Sequence, residues 1–383
     1  MRKERRMEVR LEGTGGPEGW PAPDCGCASC GRLAPGHRAP ASIVIDGLVR
    51  LPPQTGTAQG GVVPDGYLLA HGPDGYEITG PDRSRMLYAP SDAGIPDAPR
   101  RGDGLDEPCP REPFDLLLID LLDEPERLGD LRRRGRVTPE TQIIAVHLDH
   151  RVPSESELAR RLAHWRARAV PDGTVLHTRD RDVSTLTGAS ASSMARRTLL
   201  LGGARSGKSE EAELRVAADP DVTYVATGPS PGDDPSWLAR VKLHRDRRPR
   251  HWRTRETTDL ASVLATTDGP GRTLLIDGIG TWLAAMFDEC GAWPGSDSGR
   301  VSDGISDGAR AEVRRRCDEL VAGWRRTRAR VVAVSDEVGL GVVPATVAGG
   351  LFRDELGRLN QRLARESEDV AIVIAGRLLD LPI

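Results

Sequence analysis

Lysine is nearly missing from this 383-residue chain. It occurs at positions 3, 208 and 242, although Lys and Arg together number 53. Aromatics are scarce at 4%. No stretch approaches the roughly 18 consecutive apolar residues that mark a membrane span, so none is expected. The opening Met1-Arg2-Lys3-Glu4-Arg5-Arg6 is basic but has no apolar core behind it. That pattern argues against a secretory signal and for a cytoplasmic protein. A net charge of −4 exerts no general pull toward nucleic acid or membrane. In a reducing compartment the six cysteines favour metal or free thiols over disulfides. The length suits two or three domains.

What is present is one organising stretch, Gly202-Gly203-Ala204-Arg205-Ser206-Gly207-Lys208-Ser209. An apolar run precedes it and a helical pattern follows, the context in which G-x-x-x-x-G-K-[ST] is a phosphate-binding loop, or P-loop. The glycines let the backbone turn its N–H groups toward an anion, and the following helix adds its positive end. Lys208 supplies charge to the β- and γ-phosphates, and Ser209 a hydroxyl for Mg²⁺. Its lysine is conspicuous in a chain that otherwise uses arginine.

Around this loop, apolar β-branched runs at 198–201, 222–226, 273–276, 331–334 and 370–374 alternate with helical patterns. The helices are expected at 209–218, 235–246, 258–265, 280–287, 309–327 and 351–366. Alternation of this kind predicts an α/β domain with a mainly parallel sheet covered by helices, its ligands at the carboxyl ends of the strands. Asp277 closes one such strand, where an acid assists Mg²⁺ in a P-loop protein. Ala226, Thr227 and Gly228 close another; Thr227 is either a nucleotide contact or a turn residue. Residues 289–307, rich in Gly, Ser and Asp, read as a surface insertion.

Residues 237–256 pack seven arginines and Lys242 around His244 and His251. A neutral imidazole there can attack phosphorus while the arginines stabilise the charge gathering on oxygen. The same arginines hold the histidine neutral by like-charge repulsion. A basic patch for any polyanion fits the spacing equally well.

The N-terminal part is rich in Pro and Gly, with strand-like runs at 42–49, 67–70, 114–122 and 142–146 and a helix at 155–168. Cys25, Cys27 and Cys30 can share one structural Zn²⁺. His37, His147, His150 and His177 are candidates for the fourth ligand. Residues 178–195 lack apolar periodicity and read as a linker. The expected division is 1–177, linker 178–195, and 196–383.

Two resemblances add to this. Leu11-Glu12-Gly13-Thr14-Gly15-Gly16-Pro17-Glu18-Gly19-Trp20-Pro21, followed by the cysteines, resembles the opening of metallo-β-lactamase-fold phosphodiesterases. It implies a shortened, degenerate α/β domain built on a β-sandwich. The H-x-H-x-D-H motif of that fold is matched nearest by Ala145-Val146-His147-Leu148-Asp149-His150, where Ala145 stands at the first histidine.

The C-terminal part resembles the adenosylcobinamide kinase/adenosylcobinamide-phosphate guanylyltransferase family of cobalamin biosynthesis. The match rests on the P-loop, on His244-Arg245-Asp246-Arg247-Arg248-Pro249 with His251-Trp252-Arg253-Thr254, on Asp336-Glu337-Val338-Gly339-Leu340-Gly341-Val342-Val343-Pro344, and on Phe352-Arg353-Asp354 through Ala364. The resemblance implies ATP or GTP, adenosylcobinamide and adenosylcobinamide phosphate as substrates, Mg²⁺ as cofactor, and a homo-oligomer, commonly a trimer. It makes His244 the GMP-carrying residue. It assigns GTP contacts to the loop 202–209, Ala226, Thr227, Gly228, Arg245, Asp246, Arg247, Arg248, Glu256 and Asp277. Asp336 stands where the family usually has Asn. Two other readings of the residues remain: a P-loop kinase of another small alcohol, and a nucleotide-binding switch with a zinc-containing partner module.

Overall fold

A computed structural model describes residues 6–52, 64–91, 112–178, 195–228, 248–267, 269, 271–294 and 307–382. The chain divides into two compact units, Met1–Ser190 and Ala191–Ile383. Most of the expected linker, the helix at 235–246 and most of the insertion at 289–307 lie outside the described residues. Among the described residues no helix is long and apolar enough to cross a membrane.

The first unit is less loop-like than its composition suggests. Strands β1 (Glu8–Gly13), β2 (Ser42–Ile45), β3 (Val49–Leu51) and β9 (Thr174–His177) form an antiparallel sheet in the order β3-β2-β1-β9. Strands β4 (Leu68–Gly72), β5 (Gly75–Thr79), β6 (Arg85–Ala89), β7 (Leu116–Ile119) and β8 (Gln142–Ala145) form a second sheet. In it β6, β7 and β8 run parallel. Alternate residues of both sheets, including Val9, Leu11, Ile43, Ile45, Ile78, Met86, Leu116 and Ile144, meet in one core. Helices α1 (Glu126–Arg133) and α2 (Glu155–His164) bury Leu128, Leu131, Leu158 and Leu162.

The sequence pattern missed β1, β5, β6, β9, α1 and all but the first residue of β3, and it carried the run of β2 through the turn to Val49. Those two strands are a hairpin turned by Asp46 and Gly47, both at positive φ. Strands of four to six residues carry too few alternations to stand out from the Pro/Gly background.

The second unit holds a seven-stranded sheet. Its strands are β10 (Arg197–Gly202), β11 (Val222–Ala226), β12 (Arg253–Glu256), β13 (Thr273–Asp277), β14 (Arg330–Asp336), β15 (Asp369–Ile374) and β16 (Arg377–Asp380). The order is β12-β11-β13-β14-β10-β15-β16, parallel except for the hairpin strand β16. Five of the seven were expected from their apolar runs. The terminal β16 was not, and the exposed, arginine-bearing β12 shows no apolar run, although the stretch around Trp252 reads as a returning strand.

Helix α3 (Lys208–Val216) packs on one face of this sheet, where Leu200, Ala212, Val216, Tyr224 and Val332 form a core. Helices α4 (Leu260–Thr266), α5 (Ile279–Glu289), α6 (Asp307–Arg326) and α7 (Val347–Arg365) contribute to the core on the other face with Leu199, Leu201 and Ile276. Leu199 and Leu200 thus point to opposite layers, which is why the strand reads as a continuous apolar run.

Trp324 of α6 is fully buried in the larger core, its indole N–H donating to Ser367 Oγ at 3.2 Å. Trp324→Ala should destabilise this unit by about 3–5 kcal/mol. Hydrogen exchange read over the amides of residues 196–382 measures it, and unchanged protection there would count against the core described.

Candidate nucleotide site and cysteine–histidine cluster

The parallel ladder levels the carboxyl ends of five strands. Gly202 sits in register with Asp336, Ala226 with both Asp277 and Glu256, and Asp277 with Val334. The residues singled out from sequence on five separate runs therefore come to one edge of the sheet. That edge is where open α/β sheets bind ligands.

The loop from Gly202 to Gly207 joins β10 to α3. Gly207 takes a left-handed backbone, φ +96°, immediately before the helix. A side chain at Gly202 would meet Ser206 Oγ at 2.5 Å and the carbonyl of Val373 at 2.7 Å, so that position has room for hydrogen alone. The amide of Gly376 donates to the carbonyl of Ser206 and that of Glu337 to the carbonyl of Gly202, tying the loop to its neighbours.

Ser209 Oγ donates to Asp277 Oδ1 at 3.2 Å. The other oxygen of Asp277 accepts from the hydroxyl of Tyr224. Burial pushes the Tyr224 phenol far above its ordinary range, and the charge of Asp277 adds to the shift, so the phenol remains a donor. Lys208 Nζ donates to the carbonyl of Gly203 at 3.0 Å and forms an ion pair with Asp336 at 2.9 Å. Thr227 is buried, its hydroxyl bonded to the carbonyl of Gly278 at 2.6 Å and to Thr281 Oγ1 at 2.9 Å. Arg248 lies over the ring of Tyr224, its Cζ 3.2 Å from the centroid. His244, Arg245, Asp246 and Arg247 lie outside the described residues.

Sequence reasoning missed two residues here. Tyr224 reads in sequence as strand filling, because nothing in spacing tells a buried phenol from any other β-residue. Asn360, quoted only within a motif, is buried on α7. It accepts from Ser335 Oγ at 2.6 Å and donates to the carbonyl of Asp336 at 3.0 Å, which holds the end of β14 in place.

The first unit brings together a second group. The glycine-rich opening lies against residues 38–40 and 148–149: Leu148 N donates to the carbonyl of Thr14 and Gly16 N to that of Leu148. A Cβ at Gly13 would stand 2.1 Å from the carbonyl of Pro40, and one at Gly16 2.6 Å from Asp149 Oδ2. These glycines serve close packing. The packing places the cysteine loop against His150. Its Nδ1 lies 3.7 Å from Cys25 Sγ and 3.6 Å from Cys30 Sγ, and the ligand atoms of Cys25, Cys27, Cys30 and His150 are all within 4.8 Å of one another. Ligands of one tetrahedral zinc at about 2.0–2.3 Å stand roughly 3.5–3.8 Å apart, so the four residues suit a metal.

Burial raises the Cys30 thiol to about 11, while the amide of Cys30 lowers Cys27. Of the other candidate fourth ligands, His37 Nε2 bonds Glu155 at 2.8 Å and His147 Nε2 bonds Tyr88 Oη at 2.7 Å. His177 ends β9 opposite Glu8. Asp149 and the buried Asp120 both pair with Arg151.

The sheet order, loop and level carboxylates of the second unit define a P-loop nucleotide-binding domain. A family profile described as "Cobinamide kinase / cobinamide phosphate guanyltransferase" matches residues 198–381. The bifunctional adenosylcobalamin biosynthesis protein CobU of Salmonella typhimurium is 37% identical over 183 residues, covering 46% of this chain and 95% of that protein. CobU of Escherichia coli is 34% identical over 179 residues, with 46% and 95% covered. CobP of Pseudomonas aeruginosa, with the same descriptive name, is 38% identical over 183 residues, with 47% and 94% covered. This chain belongs to the cobinamide kinase/cobinamide phosphate guanylyltransferase family through its C-terminal half. None of these findings supports the metallo-β-lactamase resemblance of the N-terminal unit.

The Lys208–Asp336 pair yields a test. Asp336 is more than a third exposed, so the pair is worth little in itself. It nevertheless places a negative charge beside a phosphate cradle and competes for its lysine. Asp336→Asn should tighten GTP binding by roughly two- to fivefold. Calorimetry in Mg²⁺ reads this, and weaker binding would show that the carboxylate assists the nucleotide.

Proposed function

We propose that the second unit catalyses two successive phosphorus transfers on a corrinoid. In the first, the hydroxyl of adenosylcobinamide takes the γ-phosphate of ATP or GTP. In the second, His244 attacks the α-phosphorus of GTP, forming a P–N bond and releasing pyrophosphate. A phosphate oxygen of adenosylcobinamide phosphate then attacks the same phosphorus, the P–N bond breaks, and adenosylcobinamide-GDP leaves.

The observation that carries this reading is the single edge on which Lys208, Ser209 and Asp277 converge, in a chain 34–38% identical to enzymes named as bifunctional in adenosylcobalamin biosynthesis.

Loop amides and Lys208 hold the triphosphate; Arg248, Glu256 and residues 226–228 bound the rest of the nucleotide. Ser209 and Asp277 offer paired oxygens, the donor set a hard cation prefers. Mg²⁺ held there neutralises phosphate charge. Splitting nucleotidyl transfer through a covalent intermediate replaces one hard displacement by two easier ones. His251 is a weaker nucleophile candidate: its neighbour Trp252 is part of the sheet core, which ties that stretch to packing. The homo-trimer implied by the resemblance belongs to this proposal.

Incubation with α-labelled GTP and Mg²⁺ should leave label on the protein that is acid-labile and base-stable, as a phosphoramidate is. His244→Ala should abolish it, and intact mass should show loss of the GMP adduct. A fully labelled His244→Ala protein would transfer the role elsewhere. Phosphorylation of cobinamide without any adduct would favour a simple P-loop kinase.

For the first unit we infer a structural Zn²⁺ held by Cys25, Cys27, Cys30 and His150, in a domain without a phosphodiesterase centre. Support for the second part comes from His147, Asp149 and Asp120, whose side chains are engaged with Tyr88 and Arg151. Purified protein should carry one zinc per chain, and Cys30→Ser or His150→Ala should lose it. Two metals per chain with phosphodiester turnover would overturn the inference.

A further inference from the structure

Tyr224 touches two groups that the proposed chemistry uses separately. Its hydroxyl donates to Asp277 Oδ2, the oxygen left over when Oδ1 accepts from Ser209. Its ring face carries the guanidinium of Arg248, with Cζ 3.2 Å from the centroid. The side chain is 3% exposed and sits in the core beneath α3 with Leu200, Val216 and Val334, so both contacts are held by a packed ring.

The manner in which Arg248 is held matters. Its Nε is buried and has no hydrogen-bond partner among the described residues. Several other arginines near this sheet are paired with acids: Arg215 with Glu211 and Asp369, Arg330 with Asp219, Arg197 with Glu368. A carboxylate fixes a guanidinium by neutralising it. A ring face attracts it through the quadrupole and leaves its net charge in place. Among the described residues Arg248 is thus a cation positioned by the ring whose hydroxyl meets Asp277.

We propose that Tyr224 is a positioning residue for both the metal and the nucleotide anion: its hydroxyl aims the Asp277 carboxylate, and its ring seats Arg248 for a phosphate of the bound triphosphate. This rests on the reading of the second unit as a Mg²⁺–GTP site. One consequence is that the two functions separate chemically. A phenylalanine keeps the ring and loses only the hydroxyl; a leucine loses both.

The test is equilibrium binding of a non-hydrolysable GTP analogue to the full-length protein, with Mg²⁺ titrated and with EDTA. Tyr224→Phe should bind the analogue in EDTA as the wild type does, yet need about tenfold more Mg²⁺ for the metal-dependent gain. Tyr224→Leu should also lose roughly three- to tenfold in EDTA. Arg248→Met should show that same EDTA loss, and the double variant Tyr224→Leu/Arg248→Met should lose little more than either alone. Tyr224→Phe with wild-type Mg²⁺ dependence would overturn the metal half. Losses in Tyr224→Leu and Arg248→Met that simply multiply would overturn the cation half. Because Tyr224→Leu risks misfolding, the Phe variant alone decides the metal half, and a wild-type thermal melt is required before the Leu variant is read; failing that, Tyr224→Trp, which keeps a ring face, should retain EDTA binding, and its loss would overturn the cation half. Wild-type protein that does not bind the analogue would remove the nucleotide-site reading itself, an outcome distinct from a variant that behaves as wild type.

Discussion

The carboxylate of Asp277 is the point on which the second unit's site depends. It ends a strand buried on both faces, so its backbone position is set by the packing of Leu274, Leu275 and Ile276. Its two oxygens are then divided between Ser209 of the P-loop helix and Tyr224 of the neighbouring strand. A carboxylate held from two sides loses rotameric freedom before a ligand arrives, which lowers the entropy cost of binding. The parallel ladder supplies the rest. In parallel pairing the carboxyl ends lie at one edge, with Gly202 opposite Asp336, Ala226 opposite Asp277, and Asp277 opposite Val334 two residues before Asp336.

Lys208 and Asp336 meet at the same edge. The partly buried ammonium of Lys208 is paired by the half-exposed acid at the end of β14. An amide at that position, usual in the family the chain resembles, would offer a hydrogen bond without the charge. The clamp from Asn360 fixes the backbone of Asp336 independently of which side chain stands there.

In the first unit the controlling constraint is close packing of backbone. Glycines at 13, 15 and 16 allow the chain to pass within van der Waals contact of residues 38–40 and 148–149. That approach brings a cysteine loop and a histidine some 120 residues apart into one ligand-sized group. These glycines act through their lack of a side chain.

The P-loop, the five core strands of the second unit and the acid at Asp277 were legible from residues alone, because apolar runs buried on both faces and a glycine–lysine–serine turn are local patterns. So was the three-cysteine half of the cysteine–histidine cluster. Strands β1, β5, β6 and β9 of the first unit were not legible, since so few residues barely register an alternation in a chain rich in Pro and Gly, and β12 was legible only as a returning strand near Trp252. The choice of His150 over three other histidines, the link from Tyr224 to Asp277 and Arg248, and the pairing of Lys208 with Asp336 were decided by tertiary structure. Each joins residues between 24 and 128 positions apart, and only strand register and backbone packing bring such residues within bonding distance.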